Sequence, residues 1–423
     1  MVVGKAFARR LCLVVAVAFL VTAATSGPAA AHGWTAQPTP QLTPPPDPPF
    51  DPGQSGFLDA VSCPSSTFCA SAGGTQDTFE QTSLAEFWDG TTWTLLPEDF
   101  SDTSPLFGAS CAVDHNCLAV GYTVHTGALQ LPLSKVLTPT GGANSLFPAT
   151  VDDPPDEADS LNAVSCLSET VCLAVGSTTA PGRLPLLVER LDGFTWSLLT
   201  PAGATAGSAD FQAGSSLDGI SCTSASSCVA VGSAQQQVSQ AGEIETTLAE
   251  QWDGSAWSLD ATPNPDATQG AELRAVSCPS PGACDAVGDG RTSTTEFPIA
   301  ERLHRGRWSV MNLPPVPATA IEEVLSGISC PTIRNCTAVG FWLDSANNPH
   351  PVALRLHGAR WQLQTIPAVP NTTGGSLAAV SCPSRHLCTA VGYELLEEDG
   401  VEIRQQPLVE HWAGRDRRRP RHH

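Results

Sequence analysis

Basic side chains are scarce in this sequence: 21 Lys and Arg stand against 42 Asp and Glu, and only Lys5 and Lys135 are lysines. A formal net charge of −21 repels nucleic acid and anionic membrane surfaces, so neither is expected as a partner. The one basic run is the tail at 414–423, with Arg417-Arg418-Arg419, which reads as a solvated terminus or, alternatively, an anion- or surface-binding tag. No long apolar run follows Ala24, so no membrane insertion is expected beyond the leading segment. Tyrosine is limited to Tyr122 and Tyr393. The scattered His125, His350, His386 and His411 show no ligand spacing, and no metal centre or other cofactor is expected. EF-hand spacing is missing as well, although a calcium ion among acidic loops is compatible with the composition.

Proline and glycine are plentiful, 36 of each, which suits many turns, while 41% hydrophobic residues are too many for a disordered chain. Residues 1–31 read as a signal peptide: Lys5, Arg9 and Arg10 form a positive start, Leu11 to Ala24 is apolar, and Ala29-Ala30-Ala31 offers a small-residue cleavage site. Export, release and an extracellular location are therefore expected.

One pattern recurs seven times, as in Leu161-Asn162-Ala163-Val164-Ser165-Cys166 followed by Cys172-Leu173-Ala174-Val175-Gly176. Its first cysteines lie 48, 55, 56, 56, 52 and 52 residues apart, about the length of one four-stranded propeller blade. In the fourth copy, Leu217 to Cys222, Cys228 to Gly232, Thr247 to Trp252 and Trp257 to Leu259 make four short strands, and Asp253-Gly254 turns the last hairpin. The seventh copy ends at Trp412 without a fourth strand. Gly33-Trp34-Thr35-Ala36 near the other terminus resembles the missing piece. The expected fold is all-β: a seven-bladed β-propeller over 32–413 with four-stranded blades. The N-terminal strand at 32–40 closes the last blade, 41–56 is a Pro-rich connector, and 57–413 carries the blade repeats.

Fifteen cysteines comprise Cys12 in the leader and seven C-x5-C pairs. In an exported chain that spacing predicts one disulfide per blade: Cys63 to Cys69, Cys111 to Cys117, Cys166 to Cys172, Cys222 to Cys228, Cys278 to Cys284, Cys330 to Cys336 and Cys382 to Cys388.

The repeat, followed by Trp88-Asp89-Gly90-Thr91-Thr92-Trp93 and its later versions, resembles the BNR and sialidase-like propellers. It is also similar to kelch and galactose-oxidase-like blades and to secreted actinobacterial proteins with this cysteine-bearing repeat. The resemblance implies a propeller and not an activity. Sialidase-type catalysis uses an arginine triad and a tyrosine nucleophile, and no triad maps onto this chain. Galactose-oxidase chemistry needs a tyrosine–cysteine crosslink, whereas every cysteine after the leader falls in a pair.

Copy-to-copy variation is expected only on the rim formed by the second-to-third and fourth-to-first connections, including Asp289 to Glu296, Phe341 to His350 and Glu394 to Gln406. The binding residues expected there are Phe79, Phe211, Phe297, Trp342, Glu397, Glu398 and Asp399. No catalytic residue is assigned. Glu86, Glu189, Glu250, Glu301 and Glu410 share one strand-three position and are read as structural pairing groups. Ser62, Ser110, Ser165, Ser221, Ser277, Ser329 and Ser381 are read as hairpin or interblade hydrogen-bonding groups, and the strand-four tryptophans as blade packing. The favoured function is a secreted, monomeric, non-catalytic propeller binding a glycan, a cell-wall component or a protein. The alternative is a glycoside hydrolase or lyase, which a convergence of unlike carboxylates with raised pKa would support.

Overall fold

The computed structural model describes residues 33–40, 42, 55–76, 81–96, 104–125, 129–140, 144–146, 148, 158–179, 184–202, 214–237, 243–265, 269–315, 317, 319–398 and 402–414. The expected signal peptide and nearly all of the Pro-rich connector and basic tail lie outside them. No helix long and apolar enough to cross a membrane occurs among the described residues.

The first described strand, β1 (Gly33–Gln37), belongs to the last blade. Blade one is β2 (Ser55–Ser62), β3 (Cys69–Gln76), β4 (Gln81–Trp88) and β5 (Trp93–Leu95). Blade two is β6 (Leu106–Val113), β7 (Asn116–His125), β8 (Leu129–Leu137) and β9 (Asn144–Leu146). Blade three is β10 (Asp159–Ser168), β11 (Val171–Thr178), β12 (Leu186–Asp192) and β13 (Thr195–Leu198). Blade four is β14 (Ser216–Ser224), β15 (Ser227–Gln237), β16 (Glu243–Trp252) and β17 (Trp257–Asp260). Blade five is β18 (Gly270–Ser280), β19 (Ala283–Arg291), β20 (Glu296–His304) and β21 (Arg307–Val310). Blade six is β22 (Glu322–Thr332), β23 (Asn335–Leu343), β24 (Pro349–His357) and β25 (Arg360–Gln364). Blade seven is β26 (Thr372–Ser384), β27 (Leu387–Glu398) and β28 (Glu402–Ala413), with β1 paired antiparallel outside β28.

The outermost hairpins follow from their turn chemistry. Asp253 Oδ1 accepts the amides of Ser255 and Ala256 at 2.8 and 2.9 Å, and Gly254 takes φ 100°, a conformation that costs glycine nothing. All seven disulfides form, each across the hairpin between the first two strands of its own blade.

The repeated serines tie the blades into a ring. Each accepts a hydrogen bond from the first cysteine amide of the next blade: Cys111 N reaches Ser62 Oγ at 3.0 Å, and the series runs around to Cys382 N on Ser329 Oγ at 3.0 Å. Cys63 N on Ser381 Oγ at 2.9 Å then joins blade seven to blade one. The apolar cores lie between blades. Trp196 of blade three packs with Leu118 and Val120 of blade two, and Trp361 of blade six with Val287 and Ala300 of blade five. Trp34 of β1 packs with Val339 and Ala353, and Trp93 with Val391 and Val409, so the last two interfaces need both ends of the chain.

Two expectations need correction. Among the described residues, two second-to-third connections run largely as strand: β15 and β16 pair from Cys228–Trp252 out to Gln237–Glu243, and β27 and β28 pair out to Glu398–Glu402. Backbone ladders continue wherever both chains offer partners, whatever the side chains facing solvent. Nor is variation confined to the rim, because the residue after the strand-one leucine differs in almost every copy, as described next.

Candidate functional site

In every blade the first two strands carry a bulge at one place. The pairing skips Asp59, Phe107, Asn162, Asp218, Arg274, Ser326 and Ala378, each directly after the strand-one leucine. The glycine that pairs with the strand-one leucine, Gly73 in blade one and the last residue of the Ala-Val-Gly run in the others, permits the bulge. A Cβ on Gly232 would lie 2.0 Å from the Ser216 carbonyl oxygen, and one on Gly176 would lie 1.9 Å from that of Ser160. A bulge re-aims the extra side chain, and here all seven line the axial channel, a cavity of about 180 Å3. The sevenfold motif thus presents one non-repeating ring, with the signal visible in the sequence as the variable letter after leucine.

Three of the seven ring residues, Asp59, Asp218 and Arg274, are ionisable. Asn162 Nδ2 donates to Asp218 Oδ1 at 3.0 Å and Ser216 Oγ to Asp218 Oδ2 at 2.8 Å. Burial raises the Asp218 pKa despite these bonds and pushes Asp59 up to about 7. Arg274 Nε donates to Asp289 Oδ1 at 2.7 Å, and the same guanidinium pairs with Glu272. Glu272 is nonetheless pushed up to about 7, burial outweighing Arg274 and the Asp289 charge adding to it. At about 180 Å3 the channel suits water or a small polar species, below the size usual for organic ligands.

Larger cavities open on the rim. Between blades five and six, β20 and β22 touch through a single parallel pair, Glu296 with Glu322. Beside it lies a cavity of about 480 Å3 walled by Phe297, Ile299, Met311, Leu313 and Ile321, with Glu296, Glu322 and Glu323 among its lining. Glu322 hydrogen-bonds Glu296, and burial, with the Glu296 charge next, raises its pKa. Glu323 is 3% exposed, its Oε2 has no hydrogen-bond partner, and burial pushes it up to about 7. Between blades six and seven a second cavity of about 370 Å3 contains Trp342, His350, Glu394 and Glu410. Trp342 stacks on His350 with ring centroids 4.2 Å apart, and His350 Nε2 lies 3.1 Å from Asp344 Oδ2. The Asn348 amide first, then His350, holds Asp344 well below the usual carboxylate range.

The structure separates the residues expected to bind. Phe297 lies in the first cleft and Trp342 in the second, both on strands, while Glu397 is exposed near the tip of the β27–β28 hairpin. Glu398 ends β27, its side chain outside the described residues, as are Phe79, Phe211 and Asp399 in full. The carboxyls that accompany Phe297 were not foreseen; Glu322-Glu323 immediately before the sixth repeat, after the Pro314-Pro315 connection, was the available signal.

Three of the strand-three glutamates are also not paired as expected. Both carboxyl oxygens of Glu86, Glu301 and Glu410 are buried without hydrogen-bond partners, and burial pushes all three up to about 8. Glu250 Oε2 accepts the Ala202 amide at 3.1 Å. These positions lie at the blade interfaces: in blade two, where serine stands there, Ser134 Oγ accepts from Trp196 Nε1 of the next blade at 3.0 Å. In blade six Arg355 takes the place, lying 3.3 Å over the Trp412 ring and donating to Thr337 Oγ1 at 2.9 Å. Asp285 lies with Cys330 and Cys336 at metal-ligand distances, but those cysteines are joined as a disulfide and Arg302 holds Asp285 through two bonds of 2.6 Å.

No family model and no curated protein matches the chain. Solved structures do match in fold. The GH74 xyloglucanase of Xanthomonas campestris aligns with TM-score 0.52 at 13% identity, over 90% of this chain and 56% of its own. The chain therefore spans little more than half the length of that enzyme. A protein of unknown function from Dyadobacter fermentans aligns with TM-score 0.48 at 13% identity, over 90% of this chain and 98% of its own. At such identities the likeness concerns the fold alone.

Proposed function

We propose that this is a secreted, non-catalytic, monomeric propeller that binds a glycan, free or in the cell wall, through the clefts between adjacent blades on its variable rim. The observation that carries the reading is the pair of neighbouring clefts, each with an aromatic side chain beside buried carboxyl oxygens without a hydrogen-bond partner: Phe297 with Glu323 Oε2, and Trp342 with Glu394 Oε2 and both oxygens of Glu410. Saccharides offer apolar ring faces for such aromatics and hydroxyl donors for such oxygens. The cavity volumes lie in the range usual for organic ligands. Seven disulfides and the leading segment support an extracellular location.

A second reading, glycoside hydrolase or lyase, is favoured by one observation: Glu296, Glu322 and Glu323 meet in one cleft, and burial keeps Glu323 protonated up to about pH 7. Two or more carboxyl groups in one cleft, one of them held protonated, are the equipment of glycoside hydrolysis. Co-sedimentation of the oxidised protein with insoluble polysaccharides and cell walls, with soluble sugar assayed in the supernatant, separates the two. Protein in the pellet without released sugar supports the binder. Sugar release that grows with time supports the enzyme, and absence from every pellet without sugar release sinks both for those substrates.

A further inference from the structure

The blade five–six cleft has an unbalanced charge. Among the described residues, three carboxyl groups line it, Glu296, Glu322 and Glu323, and no Lys, Arg or His does. Arg291 reaches its edge, with Nε 3.9 Å from Glu296 Oε1, but the same guanidinium also pairs with Glu245. Farther in, Arg274 is taken by Asp289 and Glu272. Glu323 supplies the independent sign of a missing ligand: it is 97% buried (3% exposed), lines the cavity and leaves Oε2 without a donor. A buried acceptor without a donor is costly, and a carboxyl pair sharing a hydrogen bond, as Glu322 and Glu296 do, holds a proton where a cation fits better. Apolar walls complete the site, with Phe297 and Met311 within it and Ile321 44% exposed at its edge.

We infer that this cleft binds an ammonium group carried on a saccharide ring, that is, an amino sugar of a de-N-acetylated, cationic polysaccharide. The inference rests on the glycan reading above and narrows it. The ammonium donates to Glu323 Oε2 and to the Glu296–Glu322 pair, and the ring lies against Phe297. Asn312 and Thr295, also in the lining, are left for hydroxyls. Entry of the cation displaces protons held by Glu322 and Glu323.

The test is titration calorimetry of the oxidised full chain at about pH 6, where a model carboxyl and an amine are both charged, in two buffers of different ionisation enthalpy. The ligands are oligomers of glucosamine, of N-acetylglucosamine and of glucose, and a lysine oligomer. Expected is glucosamine-oligomer binding about tenfold tighter than either uncharged oligomer, the worth of one charge-assisted bond, with proton release. Glu323→Gln and Glu322→Gln each remove that preference while thermal unfolding shows the fold intact. Equal or tighter binding of an uncharged oligomer overturns this inference and leaves the glycan reading standing. Binding of none of the saccharides overturns both. A tighter lysine oligomer overturns the saccharide class, and glucosamine binding untouched by both substitutions places the ligand elsewhere and overturns the site.

Discussion

Glu301 gives the most direct check on how the blades are held together. It is 0% exposed, with neither carboxyl oxygen hydrogen-bonded, and burial pushes its pKa from 4.5 to about 8. The folded state therefore keeps a proton that the unfolded chain loses near its ordinary value. Below the unfolded pKa both states are protonated and nothing is lost. As pH rises from there through about 8, stability falls, because folding must hold that proton against the solution. Each pKa unit is worth about 1.4 kcal/mol, so the ceiling for Glu301 alone is about 5 kcal/mol. Glu86 and Glu410 act in the same direction over the same window. Glu301→Gln removes the titration and nearly preserves the shape. Thermal unfolding of both proteins at about pH 5 and about pH 8 is the assay, and a gain of several degrees for the variant is expected only at the higher pH. Equal melting temperatures at both pH values, or a gain at the lower one, would refute the reasoning that a buried, unpartnered carboxyl sits at this interface.

Other substitutions probe other links. Gly232→Ala places a Cβ 2.0 Å from the Ser216 carbonyl oxygen and is expected to cost about 3 kcal/mol in urea unfolding; a loss below about 1 kcal/mol would mean that the bulge relaxes freely. Ser277→Ala removes the acceptor of Cys330 N, 3.0 Å away, and is expected to cost about 1 kcal/mol. A double-mutant cycle with Ser221→Ala, one blade along the same ring, should be close to additive if each bond acts singly. Replacing Cys166 and Cys172 together by serine opens a hairpin closed by one disulfide and should cost about 2 kcal/mol. No change in the unfolding midpoint on that replacement would show that the staple adds nothing to an already rigid turn.

The sequence by itself determined the repeat, and with it much of the architecture. Turn dipeptides, short apolar strands and C-x5-C pairs are local, so they read directly as four-stranded blades with one disulfide each. Trp34 resembled the strand-four tryptophans strongly enough to show that β1 completes blade seven, and the structure pairs Trp34 with Trp412. What repeats was legible because every blade meets the same neighbours. The tertiary structure decided the rest. It set the bulged residues from Asp59 to Ala378 around one axis, though they lie about fifty residues apart in the sequence, in keeping with the blade length. It brought Glu296, at the end of one hairpin, against Glu322, at the start of the next blade. It also divided Phe297 from Trp342, which a list of rim aromatics had placed together. Those juxtapositions depend on where ring closure puts adjacent blades, and a side chain's charge, burial and lack of a partner exist only once its neighbours from other blades are in place.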